Sequence, residues 1–189
     1  GEAAQAMYDI VDQLATTIPT DFATAGEAVG EVNTRFGLTG DALYDLSEKF
    51  IKFAQLNDTD VTSSVDSVQK SMAAFNVPAE EAGAYLDALN KAAQDSGISV
   101  DTLTSLTVQN ATALSEMGLS LEDSTALMAQ LEKSGVPVET VMGGLSKALK
   151  KATDEGKPLD QALSELQKTI ANSEDDTEGL AAAYELFGK

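Results

Sequence analysis

The chain of 189 residues contains no cysteine and no histidine. Without cysteine it forms no disulfide bond and has no thiol nucleophile, and this absence fits a reducing compartment. Without histidine, a histidine-based catalytic triad and the usual zinc sites are excluded. The 31 Asp and Glu residues make some carboxylate pair inevitable, so a pair is no evidence of acid–base catalysis. We therefore predict that the protein is not an enzyme, and we assign no catalytic, cofactor-binding or metal-binding residue.

Basic residues are also scarce. Twelve Lys and Arg residues stand against 31 acidic ones, which leaves a net charge of −19, and the first basic residue is Arg35. Such a surface repels a phosphate backbone, so we expect no nucleic-acid binding. The only basic concentration comprises Lys147, Lys150, Lys151 and Lys157. It is either a contact with the acidic part of another copy or a solvated face that favours the negative end of its helix.

Long apolar runs are missing as well. The chain has no secretory signal pattern and no apolar stretch near membrane-spanning length, so we expect no membrane span. Its apolar share of 43% is nevertheless sufficient for a core, and the low aromatic content of 5% favours closely packed Ala- and Leu-rich helices. Because it begins without methionine and stops at a helix-closing FGK, we expect a fragment of a longer protein.

The sequence repeats one type of helix junction. Residues 97–101 read GISVD and residues 118–122 read GLSLE. In each, the glycine suits the left-handed position that closes a helix, the serine caps the next helix, and the acidic residue lies in its first turn. Ile98 and Leu103 have the spacing of a hydrophobic staple, which the second junction lacks because Ser124 occupies the apolar position.

Three further junctions are variants of this design: residues 37–41 (GLTGD), 76–80 (NVPAE) and 135–139 (GVPVE). The last two place proline at a helix start. Their spacing is irregular, so this is no fixed-period solenoid repeat. We predict an all-α fold, a compact array of about nine or ten short helices joined by tight Gly, Pro and Ser corners. Residues 1–36 are expected to form an N-terminal helical hairpin packed on the rest, and residues 37–189 a multi-helical domain.

Apolar residues at helical spacing indicate where these helices lie. The predicted segments are 2–15, 21–36, 39–55, a helix ending near 74, 78–94, 99–117, 120–133, 138–152, one starting at 158, and 178–187. The segment 39–55 has the strongest apolar face, with Leu43, Leu46, Phe50 and Phe53. We expect it at the centre of the core.

Glycines inside two predicted helices need an explanation, because each costs about 1 kcal/mol relative to alanine. For Gly26 and Gly30 we expect close approach of another helix, with a hinge as the alternative. For Gly143 and Gly144 we expect close packing or a local kink, because no lysine follows in the register of a phosphate-binding loop.

Two polar positions remain. Asn110 interrupts the apolar stripe of residues 99–117, so we expect it to bond the backbone at a helix end or to lie at the edge of the stripe. The acidic turn at residues 58–60 lacks the other ligands of a calcium loop. We interpret it as a helix cap.

Three segments carry a family resemblance: Asn76 to Leu103 (NVPAEEAGAYLDALNKAAQDSGISVDTL), Ser115 to Leu149 (SEMGLSLEDSTALMAQLEKSGVPVETVMGGLSKAL) and the final AAAYELFGK. Their order resembles the core region of phage tail tape measure proteins, also called phage minor tail proteins. The resemblance covers about residues 20–152 and contains no catalytic motif.

The resemblance implies a structural virion protein, encoded by a phage or prophage, that sets tail length, scaffolds tail tube assembly and is ejected with the genome. Implied partners are the tail tube protein, tail assembly chaperones, tail-tip proteins and other copies of the chain. The implied location is the virion tail, after assembly in the host bacterial cytoplasm. Two alternatives remain: an acidic all-helical adaptor module that binds a basic protein and has no phage role, and a metal-dependent enzyme that uses carboxylates.

The junctions also predict a compact shape, which a protein that sets tail length does not require. An unbroken helix of this length would span roughly 280 Å at 1.5 Å per residue. Because Gly and Pro corners interrupt the chain about every 20 residues, we expect a compact domain, distinct from rod-forming parts of a tape measure.

Overall fold

The computed structural model describes residues 1–135, 137–158 and 161. Within them the chain forms nine α-helices, a short 3-10 helix at Ala79–Glu81 and no β-strand, which confirms the all-α prediction. The helices are α1 Glu2–Thr17, α2 Phe22–Phe36, α3 Gly40–Asn57, α4 Val61–Ala74, α5 Ala82–Ser96, α6 Val100–Gln109, α7 Ala111–Glu116, α8 Leu121–Ser134 and α9 Val138–Asp154. The helices predicted after Pro158, with Leu159, Leu163, Leu166 and Ile170, and at 178–187 fall outside the described residues.

The two most similar junctions have the predicted geometry. Gly97 closes α5 in the left-handed conformation, with φ of 77°, and its amide donates to the Ala93 carbonyl over 2.8 Å. Ser99 then accepts a hydrogen bond from the Thr102 amide at 3.1 Å, and Ser120 accepts one from the Asp123 amide at 3.0 Å. The serine caps are therefore confirmed. Glycines in the left-handed conformation also lie at three other corners. Gly37 closes α2, Gly135 closes α8, and Gly118 precedes Ser120.

Other junctions differ in detail from the sequence patterns. Thr39 precedes α3, but its side chain makes no capping hydrogen bond. Pro78 leads into the 3-10 helix, so α5 begins at Ala82 rather than at residue 78. The acidic turn does cap a helix, because the Asp60 carboxylate accepts from the Ser63 amide at 2.8 Å.

The predicted single helix over residues 99–117 is wrong, because the chain forms α6 and α7 with a break at Asn110. The Asn110 side-chain nitrogen donates to the Leu106 carbonyl over 2.8 Å. Asparagine competes in this way with helical backbone hydrogen bonds, so it favours helix ends over helix interiors. The expectation that Asn110 bonds the backbone at a helix end is thus confirmed.

Helix α3 lies at the centre of the larger core, as predicted. It contacts α1, α2, α4 and α5, and Leu43, Phe50 and Ile51 are almost fully buried. The cluster around it draws residues from α1 to α6 and from α8. A smaller cluster joins α7, α8 and α9 through Leu114, Met128, Val138 and Met142. Helix α2 packs on α3 and α4 as well as on α1, and the division of the chain at residue 36 stays a prediction.

The prediction of close helix approach is wrong at Gly26, Gly30 and Gly143. A Cβ atom added to Gly26, Gly30 or Gly143 would meet no atom within 4 Å. Helix α2 packs instead through Ala25, Ala28, Val29 and Val32, and its two glycines lie half-buried beside that face. Neither a hinge in α2 nor a kink in α9 is tested by this geometry.

A layer of hydroxyl groups lies inside the bundle where α5, α6 and α8 meet. The Thr107 hydroxyl donates to the Leu103 carbonyl at 2.7 Å, and the Thr125 hydroxyl donates to the Leu121 carbonyl at 2.9 Å. The Tyr85 hydroxyl, 3.2 Å from the Thr125 oxygen, is therefore the donor of that pair. Burial raises the pKa of Tyr85 above its ordinary value. The layer is polar, yet its three members are satisfied.

Two buried serines allow a matched test of hydroxyl satisfaction. Ser47 in α3 and Ser71 in α4 are both 0% exposed. The Ser71 hydroxyl donates to the Ser67 carbonyl at 2.9 Å, whereas the Ser47 hydroxyl has no hydrogen-bond partner. We expect Ser47→Ala to raise the free energy of unfolding by about 0.5 to 1 kcal/mol and Ser71→Ala to lower it by a similar amount. Urea denaturation followed by circular dichroism measures both, and equal destabilisation by the two changes would contradict the assignment.

Candidate interaction groove between helices α5 and α8

Helices α5 and α8 lie side by side, and an open groove of about 570 Å³ follows their outer surface. Its floor consists of small side chains: Ala88 and Ala92 of α5 are half-buried, and Ala129 of α8 is buried. Ala126 is exposed at the surface of α8, next to the half-buried Leu127. Because each alanine contributes a single methyl group, side chains from another helix can enter the groove, which is the geometry of helix-in-groove recognition.

Charges differ between the two ends of the groove. The helices run parallel, since Tyr85 contacts Thr125 near both helix starts and Lys133 contacts Asp95 near both helix ends. At the carboxyl-terminal end the Lys133 ammonium donates to the Asp95 carbonyl over 2.7 Å, where the dipole of α5 is negative. Lys91 donates to the Asp95 carboxylate at 2.7 Å, and this hydrogen bond raises the pKa of Lys91.

The other end of the groove carries Glu122 and Asp123, in the first turn of α8. These carboxylates face the positive end of their helix dipole. No lysine or arginine lines the groove beside them, since both lining lysines, Lys91 and Lys133, lie towards Asp95. The groove is therefore polarised along its length, and it discriminates between the two orientations of a charged helix.

The hydroxyl group that lines the groove, that of Ser96, is bonded to the backbone. It donates to the Ala92 carbonyl at 2.6 Å and accepts from the Ile98 amide at 3.1 Å. Its proton is thus committed to the backbone. Within the described part of the chain, no group of three or more acidic residues has the geometry to hold a metal ion.

The sequence interpretation assigned no site, so it missed this groove. The available signal was the spacing of small residues, because Ala88 and Ala92 are four apart and Ala126 and Ala129 are three apart. That spacing places each pair on one helix face. It did not reveal that the two faces adjoin, because tertiary packing alone brings α5 beside α8.

A comparison with known families identifies the group to which the protein belongs. Residues 8–188 match the profile of a family described as phage-related minor tail protein. The chain belongs to this family. No curated protein and no solved structure is significantly similar to it. The coarser part of the resemblance is thus confirmed: this minor tail protein has a structural role in a phage tail, which suggests a component of the virion and not an enzyme. Among its described helices, none is both long enough and apolar enough to cross a bilayer.

Two alanines of the groove provide a test of its packing. Ala129 is 4% exposed and Ala126 is exposed on the same helix. We expect Ala129→Leu to lower the free energy of unfolding by about 1 to 3 kcal/mol, because added methylene groups overpack the contact with α5. Ala126→Leu should change it by less than about 0.5 kcal/mol. Thermal and urea unfolding of both variants decide this, and a tolerated Ala129→Leu would show that the groove floor is loosely packed.

Proposed function

We propose that this minor tail protein is a compact domain from the core region of a tape measure protein. In this role the whole protein sets tail length, scaffolds polymerisation of the tail tube and is ejected with the genome. Family membership over residues 8–188 carries the proposal. It is supported by the two internal segments, 76–103 and 115–149, whose helices and glycine corners follow in the order that the resemblance requires.

Within this proposal, the fold indicates which part of a tape measure protein the chain would form. A ruler segment adds about 1.5 Å of length per residue only while it is one continuous helix. Here the chain reverses at its corners, so that α2 contacts α4 and α5 contacts α8. The domain therefore contributes surfaces rather than length, and rod-forming segments elsewhere in the protein would set the distance.

Partners follow from the same role. The tail tube protein, the tail assembly chaperones, the tail-tip proteins and other copies of the chain are the proposed contacts, first in the host cytoplasm and then in the virion tail. The groove between α5 and α8 is the proposed seat for a helix from one of them. An adaptor module without a phage role is disfavoured, because the chain belongs to a phage tail family.

In-frame deletion of the codons for residues 1–189 from the phage gene tests the tail role. We expect tails that are absent or altered in length, because tube polymerisation loses part of its scaffold. Negative-stain electron microscopy of lysates measures tail length, and a plasmid copy of the intact gene is the control that should restore it. Tails of unchanged length at normal yield would contradict the proposal.

Small-angle scattering of the isolated chain tests the compact form independently of the phage. A compact domain of this size has a radius of gyration of about 16 Å. A continuous helix of roughly 280 Å would instead give about 80 Å. We expect a value near the first figure. An elongated rod in solution would contradict the division between compact and rod-forming parts while leaving membership of the family intact.

A further inference from the structure

An exposed apolar feature in the described part of the protein lies at the beginning of the fold. Tyr8 of α1 is 55% exposed and Phe22 of α2 is 48% exposed, and their ring centroids are 5.7 Å apart. Leu56, which is 61% exposed, follows Gln55 at the end of α3, and the Gln55 side chain donates to the Pro19 carbonyl at 2.7 Å. That hydrogen bond joins the end of α3 to the loop before Phe22. We call Tyr8, Phe22 and Leu56 the aromatic patch.

The surroundings of the aromatic patch are acidic on the α1–α2 side. Residues 1–34 contain no Lys or Arg and six acidic residues: Glu2, Asp9, Asp12, Asp21, Glu27 and Glu31. Asp9 follows Tyr8 directly, Asp12 lies one helical turn beyond it, and Asp21 precedes Phe22; all three are exposed. The Thr24 amide, 2.7 Å from the Asp21 carboxylate, lowers the pKa of Asp21, so that this carboxylate stays charged in mildly acidic solution.

The charges of α3 that lie near Leu56 along the chain do not cancel this field. Lys52 lies one turn before Leu56, but it is paired with Glu48 at 2.8 Å. Asp58, at the end of α3, is exposed and adds a further negative charge. The patch thus combines aromatic side chains, which are enriched at protein interfaces, with a rim that attracts cations.

We propose that the aromatic patch binds an amphipathic helix of a partner protein that carries Lys or Arg beside its apolar side chains. The apolar side chains of this helix cover Tyr8, Phe22 and Leu56, and its cations pair with the carboxylates of α1 and of the loop before Phe22. A cation over either ring gains further stabilisation from the aromatic face. This inference assigns a partner chemistry to named residues and does not depend on the tape measure role.

Charge complementarity decides between this partner and a second copy in a symmetric contact. In a two-fold contact the same surface meets itself. Asp9, Asp12 and Asp21 of both copies would then bring six carboxylates together, twice the three in one copy, while residues 1–34 supply no lysine or arginine. Like charges placed opposite one another oppose association. A head-to-tail contact remains, in which the patch binds α9 of another copy through the exposed Lys147 and Lys150. The experiment must distinguish this self-association from binding of a different protein.

The probe is a synthetic amphipathic 14-residue helix of Leu and Lys, labelled with a fluorophore and titrated with the complete 189-residue chain. We expect Phe22→Ser and Tyr8→Ser each to weaken binding about tenfold, since each removes a buried aromatic contact from the complex. Val108→Ser is the matched control, because Val108 is a large apolar side chain exposed on a distant helix, α6. The Val108→Ser variant should bind the peptide with the same affinity as the unmodified chain. A Leu and Glu helix of the same pattern should not bind.

Several outcomes would overturn the proposal. Equal loss of affinity in Val108→Ser, unchanged affinity in Phe22→Ser, or equal binding of a scrambled Leu and Lys peptide would each show unspecific attraction to an acidic protein. Should either serine variant unfold, Asp12→Lys replaces it, because Asp12 is an exposed helix residue. Unchanged affinity in Asp12→Lys would equally refute the role of the acidic rim. Sedimentation equilibrium completes the test. A chain that self-associates, and becomes monomeric on Phe22→Ser, would identify another copy as the occupant.

Discussion

The described helices of this protein depend on packing against one another, and this constraint organises the fold. Isolated helices of fewer than about 12 to 15 residues are marginal in water, and helices in proteins draw most of their stability from tertiary packing. The described helices range from six residues in α7 to 18 in α3. Each helix must therefore bury a face against neighbours. Helix α3 makes this possible for the first half of the chain, because it contacts α1, α2, α4 and α5 at once. Its buried Phe50 and Ile51 supply the bulk that alanine-rich neighbours lack. The corners determine where these helices can meet, since a glycine in the left-handed conformation ends one helix and a capped start orients the next.

Hydroxyl groups enter the interior in both halves of the fold, and where α5, α6 and α8 meet they form a layer. Tyr85, Thr107 and Thr125 form a satisfied layer between α5, α6 and α8, whereas the buried Ser124 hydroxyl has no partner. One hydrogen bond of the layer joins two helices, from the Tyr85 hydroxyl of α5 to the Thr125 oxygen of α8 at 3.2 Å, because Thr107 and Thr125 donate within their own helices. A shift of α5 against α8 would break this buried hydrogen bond. An unsatisfied hydroxyl only reduces stability. The Tyr85–Thr125 bond therefore favours the parallel contact of α5 and α8, and this contact creates the groove.

Local signals in the sequence predicted the helix ends well and tertiary relations poorly. Ser99 and Ser120 cap helices as expected because capping depends on residues three positions apart. For Asn110 one of two expectations was right, a backbone bond at a helix end, yet the helix around it was predicted to be continuous. Apolar periodicity outweighed the local competition for backbone hydrogen bonds. Gly26 and Gly30 were assigned to a close helix contact that does not exist, because small residues at helical spacing have the same pattern whether a neighbour approaches or not. The α5–α8 groove escaped prediction for the same reason. The resemblance was recognised from the order of many elements in the sequence, and the family match over residues 8–188 confirms its coarser part even where single contacts could not be derived.

Two surfaces of opposite character result from this arrangement. The α5–α8 groove has an alanine floor and charges of both signs, so a helix bound there would be selected by shape and orientation. The aromatic patch has large apolar side chains beside a mainly acidic surface, so the proposed partner would be selected by charge. In an extended rod the same residues would be dispersed along the chain, because Tyr8 and Phe22 are 14 positions apart and Ala92 and Ala126 are 34 positions apart. Folding back is what brings them together: Tyr8 reaches Phe22 only across the α1–α2 turn, and α5 reaches α8 only after the chain has reversed through α6 and α7. In the proposed role the domain would therefore act through the surfaces that its corners assemble, and loss of a corner would remove a surface together with the fold.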